Sequence, residues 1–239
     1  MAHYRDAVTN YDLLNLGDFE LQCGMVLTDT KLAYRTYGEL NPEGSNAILI
    51  AVPVNGTHQD AASIHIDGEN RAISPEKHFV IIPDMFGNGL SSSPSNTPSP
   101  FDGVDFPSVT IYDNVRAQHM LVTEELGISK LKLVTGFSMG GLQSFHLVRT
   151  KAWQNADMSD NPKYSGNLEA ALAGITARAI VMPASTDQYF WSDDNKDEVA
   201  RMPNAEFKEI PSIWGHAAGL GINPADTEFI DDAIRKLIG

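Results

Sequence analysis

The residues best placed to do chemistry form a serine motif framed by glycines, Gly136-Phe137-Ser138-Met139-Gly140. An apolar run from Leu131 to Thr135 precedes it, and a predicted helix from Met139 to Val148 follows. A G-x-S-x-G motif between a strand and a helix is typical of a nucleophile elbow, a sharp turn that exposes the serine hydroxyl. Its glycines suit positions where the backbone packs too closely for a Cβ atom. The pattern predicts Ser138 as the nucleophile of acyl transfer, with the N–H of Met139 as one oxyanion donor. The alternative is a glycine-rich helix start without chemistry.

An acid and a base are expected downstream, in the chain order Ser, Asp or Glu, then His. Asp187 follows an apolar strand pattern from Ala179 to Pro183, and we predict it as the acid. Asp193 and Asp194 compete for that role, but they are further from the strand and are typical of a solvated helix start. His216 is the one histidine beyond the elbow helix, and it lies in a glycine-rich loop. It is predicted to take the serine proton, while Asp187 orients its ring.

Alternating strand and helix patterns predict one domain over residues 1–239, with a mainly parallel sheet and helices on both faces. The predicted strands are Phe19 to Cys23, Leu32 to Tyr37, Ala47 to Pro53, His78 to Pro83, Leu131 to Thr135, Ala179 to Pro183 and Glu206 to Pro211. The first two are expected to pair around a turn at Thr28-Asp29-Thr30. Further helices are predicted over Ile111 to Leu126, Asn167 to Ile175 and Thr227 to Ile238.

Composition argues against several functions. The net charge of −14 disfavours nucleic acid and anionic membranes as partners. The start of the chain shows no secretory pattern and no apolar run is long enough to span a bilayer, so a cytoplasmic location is expected. The single cysteine, Cys23, excludes an internal disulfide and is expected to be a buried side chain. His58 and Asp60 have a spacing that suits metal binding, but two ligands do not make a metal site, and none is predicted.

Five segments of the chain are similar to those of a known family: Leu32 to Leu40 (LAYRTYGEL), His78 to Ser93 (HFVIIPDMFGNGLSSS), Val109 to Gln118 (VTIYDNVRAQ), Thr135 to Leu142 and Gly215-His216. On these segments the chain resembles the homoserine O-acetyltransferase branch of the α/β-hydrolase superfamily. The resemblance implies an α/β-hydrolase fold and a Ser-His-Asp double-displacement mechanism. Its members transfer acyl groups from coenzyme A thioesters to alcohols or hydrolyse esters, which makes an acyl-CoA a candidate cosubstrate. It also implies the N–H of Val54 as the second oxyanion donor.

The sequence departs from this family in two ways. Homoserine-specific members carry an acidic residue after the catalytic histidine, where this chain has Ala217, Ala218 and Gly219. Members also carry a further sheet strand and a helical lid after the elbow helix, and both are expected to be absent here, near residues 148–153. Losing a strand would move Asp187 by about 4.8 Å relative to Ser138 if the sheet closed, or leave two open strand edges if it did not. We expect either outcome to endanger the catalytic geometry.

These observations favour an acyl-transfer enzyme with an acyl-serine intermediate and no bound cofactor. Ester hydrolysis is favoured over O-acyl transfer, because a site without a lid admits water. The substrates would be a small ester, or an acyl-CoA with an alcohol acceptor, and a homodimer is left open. A non-catalytic protein with the same fold is the alternative from a different class.

Overall fold

Five strands form the main sheet, in the order β1-β2-β4-β3-β5. The computed structural model describes residues 8–147, 159 and 164–239. The strands are β1 (Asp12–Glu20), β2 (Val26–Tyr37), β3 (Ala47–Ala51), β4 (Phe79–Pro83) and β5 (Leu133–Gly136). β2 pairs antiparallel with β1 and β4, whereas β3 pairs parallel with β4 and β5. The parallel strands β4, β3 and β5 thus form one side of a mixed sheet, and the antiparallel strands β1 and β2 form the other.

Helices cover both faces of this sheet, as the alternating pattern predicts. The helices of the described ranges are α1 (His58–His65), α2 (Ile111–Met120), α3 (Met139–Leu147), α4 (Leu168–Ala173), α5 (Ser192–Val199) and α6 (Pro224–Ile238), of which α4 and α5 pack against strands later in the chain. α2 continues as a π-helical turn over Leu121–Glu125. Helix α1 was not predicted, because its run of apolar residues is short and is interrupted by polar ones. Its start is fixed by a capping box between Thr57 and Asp60.

Strand β3 shows how the core is divided between the two faces. All five of its residues are buried. Leu49 belongs to a cluster with residues of α2, and Ile48 and Ile50 belong to a second cluster with residues of α1 and α6. Because successive side chains of a strand point to opposite faces, a continuous apolar run is what a strand covered on both faces requires.

The sheet is interrupted beside β5. Within the described ranges β5 pairs only with β3, and the next strand, β6 (Ala179–Val181), pairs only with β7 (Ala205–Phe207) in a separate parallel pair. Of the two outcomes expected for a missing strand, the described residues show the open one. The predicted absence of a lid near residues 148–153 falls outside the described residues and stays a prediction, as does the single-domain assignment.

The first hairpin differs from the sequence-based expectation. Its turn lies at Leu21–Met25, where Gly24 has a φ of +85° and Leu21 N donates to Met25 O. The predicted turn at Asp29 is instead a local irregularity within β2. The prediction of a buried Cys23 was therefore wrong, because Cys23 occupies the turn and is exposed.

His65, at the end of α1, gives the fold a specific pH dependence. Burial, reinforced by the positive charge of Arg71, lowers the pKa of His65 from 6.5 to about 4. The unfolded chain therefore binds a proton between these values that the folded chain does not, so the free energy of unfolding falls as the pH drops.

We expect this effect to remove about 2 kcal/mol of stability between pH 7 and pH 5. Urea unfolding of the wild type and of His65→Gln at both pH values would measure it, with the exposed His119→Gln as control. The variant at position 65 should lose this part of the pH dependence. Equal pH dependence in all three proteins would contradict the assignment.

Candidate active site

Ser138 sits in the tight turn between β5 and α3. Its φ is +58°, in the left-handed region, which costs a residue with a side chain about 1–2 kcal/mol. Gly140 N donates to Phe137 O at 2.8 Å and Leu142 N donates to Ser138 O at 3.2 Å, so the turn closes directly into the helix. The strained serine is held at the end of β5, where it lines a cavity.

The two glycines of the motif are required by backbone packing. A Cβ on Gly136 would lie 2.4 Å from the backbone of Gly140, and a Cβ on Gly140 would lie 2.2 Å from Ala51 O in β3. Both distances are far below contact, and the opposing atoms are backbone atoms that cannot rotate away. The elbow can therefore approach β3 only without side chains at these positions.

The structure brings the three predicted residues into one chain of hydrogen bonds. His216 Nε2 lies 2.9 Å from Ser138 Oγ, and His216 Nδ1 lies 2.9 Å from Asp187 Oδ2. The Asp187 side chain is 7% exposed and the His216 side chain 25%. Asp193 and Asp194, the competing acids, lie in the first turn of α5. An open sheet was expected to endanger this geometry, but the three groups lie within hydrogen-bond distance although β5 and β6 are unpaired with each other in the described ranges.

Asp187 is held as a carboxylate. Burial raises its pKa, but hydrogen bonds from His216 and from the backbone N–H groups of Tyr189 and Phe190 lower it more, so the pKa is below its usual value. Oδ1 accepts the two backbone hydrogen bonds at 2.8 and 3.1 Å, which leaves Oδ2 for the imidazole. A carboxylate in this state can orient the ring and stabilise its protonated form.

The loop that carries His216 is tied to the loop that carries Asp187. Thr186 Oγ1 donates to Ser212 O at 2.9 Å and accepts from Gly215 N at 3.0 Å. Gly215 has a φ of +53° and passes so close to Thr186 that an added Cβ would lie 3.1 Å from its carbonyl oxygen. The sequence analysis did not predict a role for Thr186, although its position directly before the predicted acid could have indicated one.

Three aromatic rings surround the imidazole of His216. The centroids of Phe137, Tyr189 and Phe190 lie 4.8, 5.1 and 5.4 Å from that of His216, and the Phe190 ring is nearly parallel to it. Such packing limits the ring's rotation and places aromatic faces beside a group that becomes a cation during proton transfer. These residues were also missed, because their proximity depends on the loops meeting.

The predicted oxyanion donors belong to neighbouring elements at the same end of the sheet. Met139 is the first residue of α3, and Val54 lies in the turn after β3, the strand that pairs with β5. Met139 therefore has the position that the prediction requires. Val54 does not line the cavity that holds Ser138, and its role stays a prediction.

A buried polar network holds the turn that contains Val54. Asp84 accepts from His58 N at 2.9 Å and lies 2.7 Å from His58 Nδ1. Asn88 Nδ2 donates to Asp84 Oδ1 and to Gly56 O. His58 thus pairs with a carboxylate rather than serving as half of a metal site. No group of three His, Cys, Asp or Glu residues within the described ranges is arranged to hold a metal ion.

A cavity of about 1160 Å³ opens beside the three residues. It is lined by β5 and the residues after it on one side, by β6 and the loop to Asp187 on the other, and by α6. The exposed aromatic side chains of Tyr189 and Trp191 are part of its lining. The cavity therefore offers apolar surface next to the serine hydroxyl.

The family description "alpha/beta hydrolase fold" matches residues 61–157. A crystal structure of the acetyl esterase MekB superposes with a TM-score of 0.88 at 27% identity, over 98% of both chains. The chain has the α/β-hydrolase fold. An ethyl acetate hydrolase of Pseudomonas veronii is 29% identical over 92% of both proteins. A homoserine O-acetyltransferase of Rhodopseudomonas palustris is 38% identical over 52% of this chain and 34% of its own length. The predicted resemblance is confirmed, since both esterases and homoserine O-acetyltransferases are similar to this α/β-hydrolase.

The α/β-hydrolase described here is shorter than these relatives. The alignment with the ethyl acetate hydrolase extends over 328 positions, whereas this chain has 239 residues. At least 89 of those alignment positions therefore hold a residue in the relative and a gap in this chain. The chain spans about a third of the homoserine O-acetyltransferase length in its alignment. In the described part of the chain, no helix is both long and apolar enough to cross a bilayer.

Two neighbouring glycines provide a matched test of the elbow. Gly140→Ala places a Cβ 2.2 Å from Ala51 O, whereas a Cβ on Gly141 would meet nothing closer than Gly136 O at 3.3 Å. We expect Gly140→Ala to lose at least about 2 kcal/mol more stability than Gly141→Ala, because the backbone must shift to remove the overlap.

Urea unfolding measures this difference, and esterase activity should fall in parallel as Ser138 is displaced. Equal stability of the two alanine variants would show that the elbow does not pack against β3 in this way.

Proposed function

We propose that this chain is a serine ester hydrolase whose nucleophile is Ser138. The observation that carries the proposal is the continuous hydrogen-bonded chain from Ser138 Oγ through His216 to Asp187, beside an apolar cavity. An α/β-hydrolase with this arrangement has a nucleophile, a proton acceptor and a fixed carboxylate at one end of its sheet.

The first half-reaction forms an acyl-serine. As Ser138 Oγ attacks the ester carbonyl, its proton passes to His216 Nε2, and Asp187 stabilises the imidazolium through Nδ1–H. The carbonyl oxygen becomes an oxyanion, and the N–H of Met139 at the start of α3 is its first donor, with Val54 the proposed second. The imidazolium then gives its proton to the leaving alcohol as the tetrahedral intermediate collapses.

The second half-reaction releases the acyl group. A water molecule gives its proton to His216 Nε2 while its oxygen attacks the acyl carbonyl, and the same oxyanion donors act again. Collapse of this intermediate frees the carboxylic acid and returns the proton to Ser138. The His216 side chain is a quarter exposed, so water can reach the reacting atoms.

Short acetyl esters are the proposed substrates. Among the proteins that are similar to this chain over more than nine-tenths of its length are an ethyl acetate hydrolase, at 29% identity, and an acetyl esterase, at 27% identity. The residues after His216, Ala217, Ala218 and Gly219, offer no charge to bind the amine of an amino-acid acceptor. Gly219 also packs against the Phe137 ring, where a Cβ would lie 2.2 Å from a ring carbon, so the space beside His216 is narrow.

O-acyl transfer from an acyl-CoA to an alcohol is the second candidate, because homoserine O-acetyltransferases are among the relatives. Both reactions proceed through the acyl-serine, which is attacked by water in hydrolysis and by an alcohol in transfer. O-acetylhomoserine made from acetyl-CoA and homoserine by the wild type, but not by Ser138→Ala, would favour transfer. A cytoplasmic location and a homodimer stay predictions.

Hydrolysis of p-nitrophenyl acetate tests the proposed nucleophile. We expect Ser138→Ala to lower kcat/KM by at least about a thousandfold, because no other group can form the acyl intermediate. Ser129→Ala is the matched control, since Ser129 lines the same cavity at the other end of β5. It should keep activity within about twofold of the wild type, as a surface substitution does.

Equal turnover by Ser138→Ala and the wild type would refute the proposed nucleophile. Turnover by neither protein, with both folded by circular dichroism, would favour the non-catalytic alternative.

A further inference from the structure

The interruption of the sheet leaves a space between β5 and β6 that is part of the cavity. We call the space between β5 and β6 the strand slot. Both strands line the cavity, and among the described residues each is paired on one side only. Two strand edges therefore border one cavity, and each carries backbone donors and acceptors that a further strand could bind.

The hydrogen bonds of β6 show which backbone groups face the slot. Ala179 N donates to Asn204 O at 3.1 Å, and Lys208 N donates to Val181 O at 3.0 Å, so residues 179 and 181 point their backbone groups at β7. Because backbone groups alternate in direction along a parallel strand, those of Ile180 and Met182 point to the opposite side, into the slot.

The positions of the active-site residues define the direction of the two strands that border the slot. Ser138 follows the C-terminal end of β5 and Asp187 follows that of β6, and both meet His216. The two strands therefore run in the same direction, and their N-terminal ends lie together at the far end of the slot. The slot is about 13 Å long, the span of the four residues of β5.

Basic residues stand at the end of the slot where the two strands begin. Lys130 and Lys132 precede β5 and Arg178 precedes β6; all three are exposed, line the cavity, and form no ion pair with the described residues. This is a cationic end in a chain whose net charge is −14. Asp194 and Glu198 of α5 also line the cavity.

The side-chain walls of the slot are apolar. Ile230, Ile234 and Leu237 of α6 line the cavity, as do Ile175 and Met202. Walls of this kind exclude a polar or charged strand but suit apolar side chains, which are typical of a strand covered on both faces.

We infer that the strand slot binds an extended segment of a partner protein, in which one or two acidic residues are followed by about five apolar residues. The segment lies parallel to β5 and β6 and donates and accepts backbone hydrogen bonds on both of its edges. Its acidic start pairs with the cationic end of the slot, and its apolar side chains cover the walls. Strand addition to an open sheet edge is a known mode of peptide recognition, and here two edges bind one strand.

A synthetic peptide tests the inference without reference to catalysis. The probe is fluorescein-labelled Asp-Asp-Val-Ile-Val-Ile-Val-amide, titrated with the wild-type chain and followed by fluorescence anisotropy. We expect saturable binding in the micromolar range. The same peptide with N-methylated valines should bind about tenfold more weakly, because it lacks donors to the strand edges. A peptide starting with two lysines should also bind more weakly.

Two variants at one position provide the protein control. Ile180→Pro removes an N–H that faces the slot and leaves the groups that pair with β7, whereas Ile180→Val keeps the N–H. The proline variant should bind the peptide about tenfold more weakly, and the valine variant should bind within about twofold of the wild type. The N-methylated peptide tests the same contact on the wild-type chain, independently of how the proline variant folds.

Absence of saturable binding would overturn the inference. So would N-methylated and unmodified peptides that bind equally well, since the backbone would then make no contribution. A chain that self-associates through the slot, with Ile180→Pro abolishing the association, would replace the partner segment with a second copy. If these variants hydrolyse p-nitrophenyl acetate as fast as the wild type does, the proposed function stands whatever the peptide experiments show.

Discussion

The structure depends on one imidazole that joins two separate sheets. Ser138 ends a strand of the five-stranded sheet, and Asp187 follows a strand of the two-stranded pair. His216 bonds to both at 2.9 Å, although no strand pairing connects β5 to β6 in the described ranges. The alignment of nucleophile and acid therefore rests on packing of the loops around His216 rather than on a continuous ladder. The Thr186 bonds and the surrounding aromatic rings supply that packing.

The same interruption shapes what the site can do. A continuous sheet would fill the space between β5 and β6, whereas here that space is part of the cavity that reaches the serine. Because the imidazole is partly exposed, water has access to the acyl-serine, which favours hydrolysis over transfer.

The sequence was most informative where function is encoded locally. Five consecutive residues were enough to predict the elbow. The acid and the base were predicted from their order along the chain and from their positions after predicted strands. The aromatic enclosure of His216 was not predictable, because it requires His216, 78 residues from Ser138 along the chain, to meet the separate loop of Tyr189 and Phe190. The exposure of Cys23 was missed because one glycine with a positive φ moved the turn by several residues. The alignment of the site beside an open sheet edge was not predicted, because it depends on contacts between loops that are distant in sequence.

The most direct test of the central claim is the rate at which a fluorophosphonate labels Ser138, because this reagent reacts with an activated serine and requires no knowledge of the substrate. Intact-protein mass spectrometry would follow labelling of the wild type and of His216→Ala, and peptide mapping would locate the label. We predict one label per wild-type chain at Ser138, and labelling at least about a hundredfold slower in the variant, because the proton acceptor is lost. A wild-type chain that is folded and unlabelled, or equal rates in the two proteins, would contradict the account.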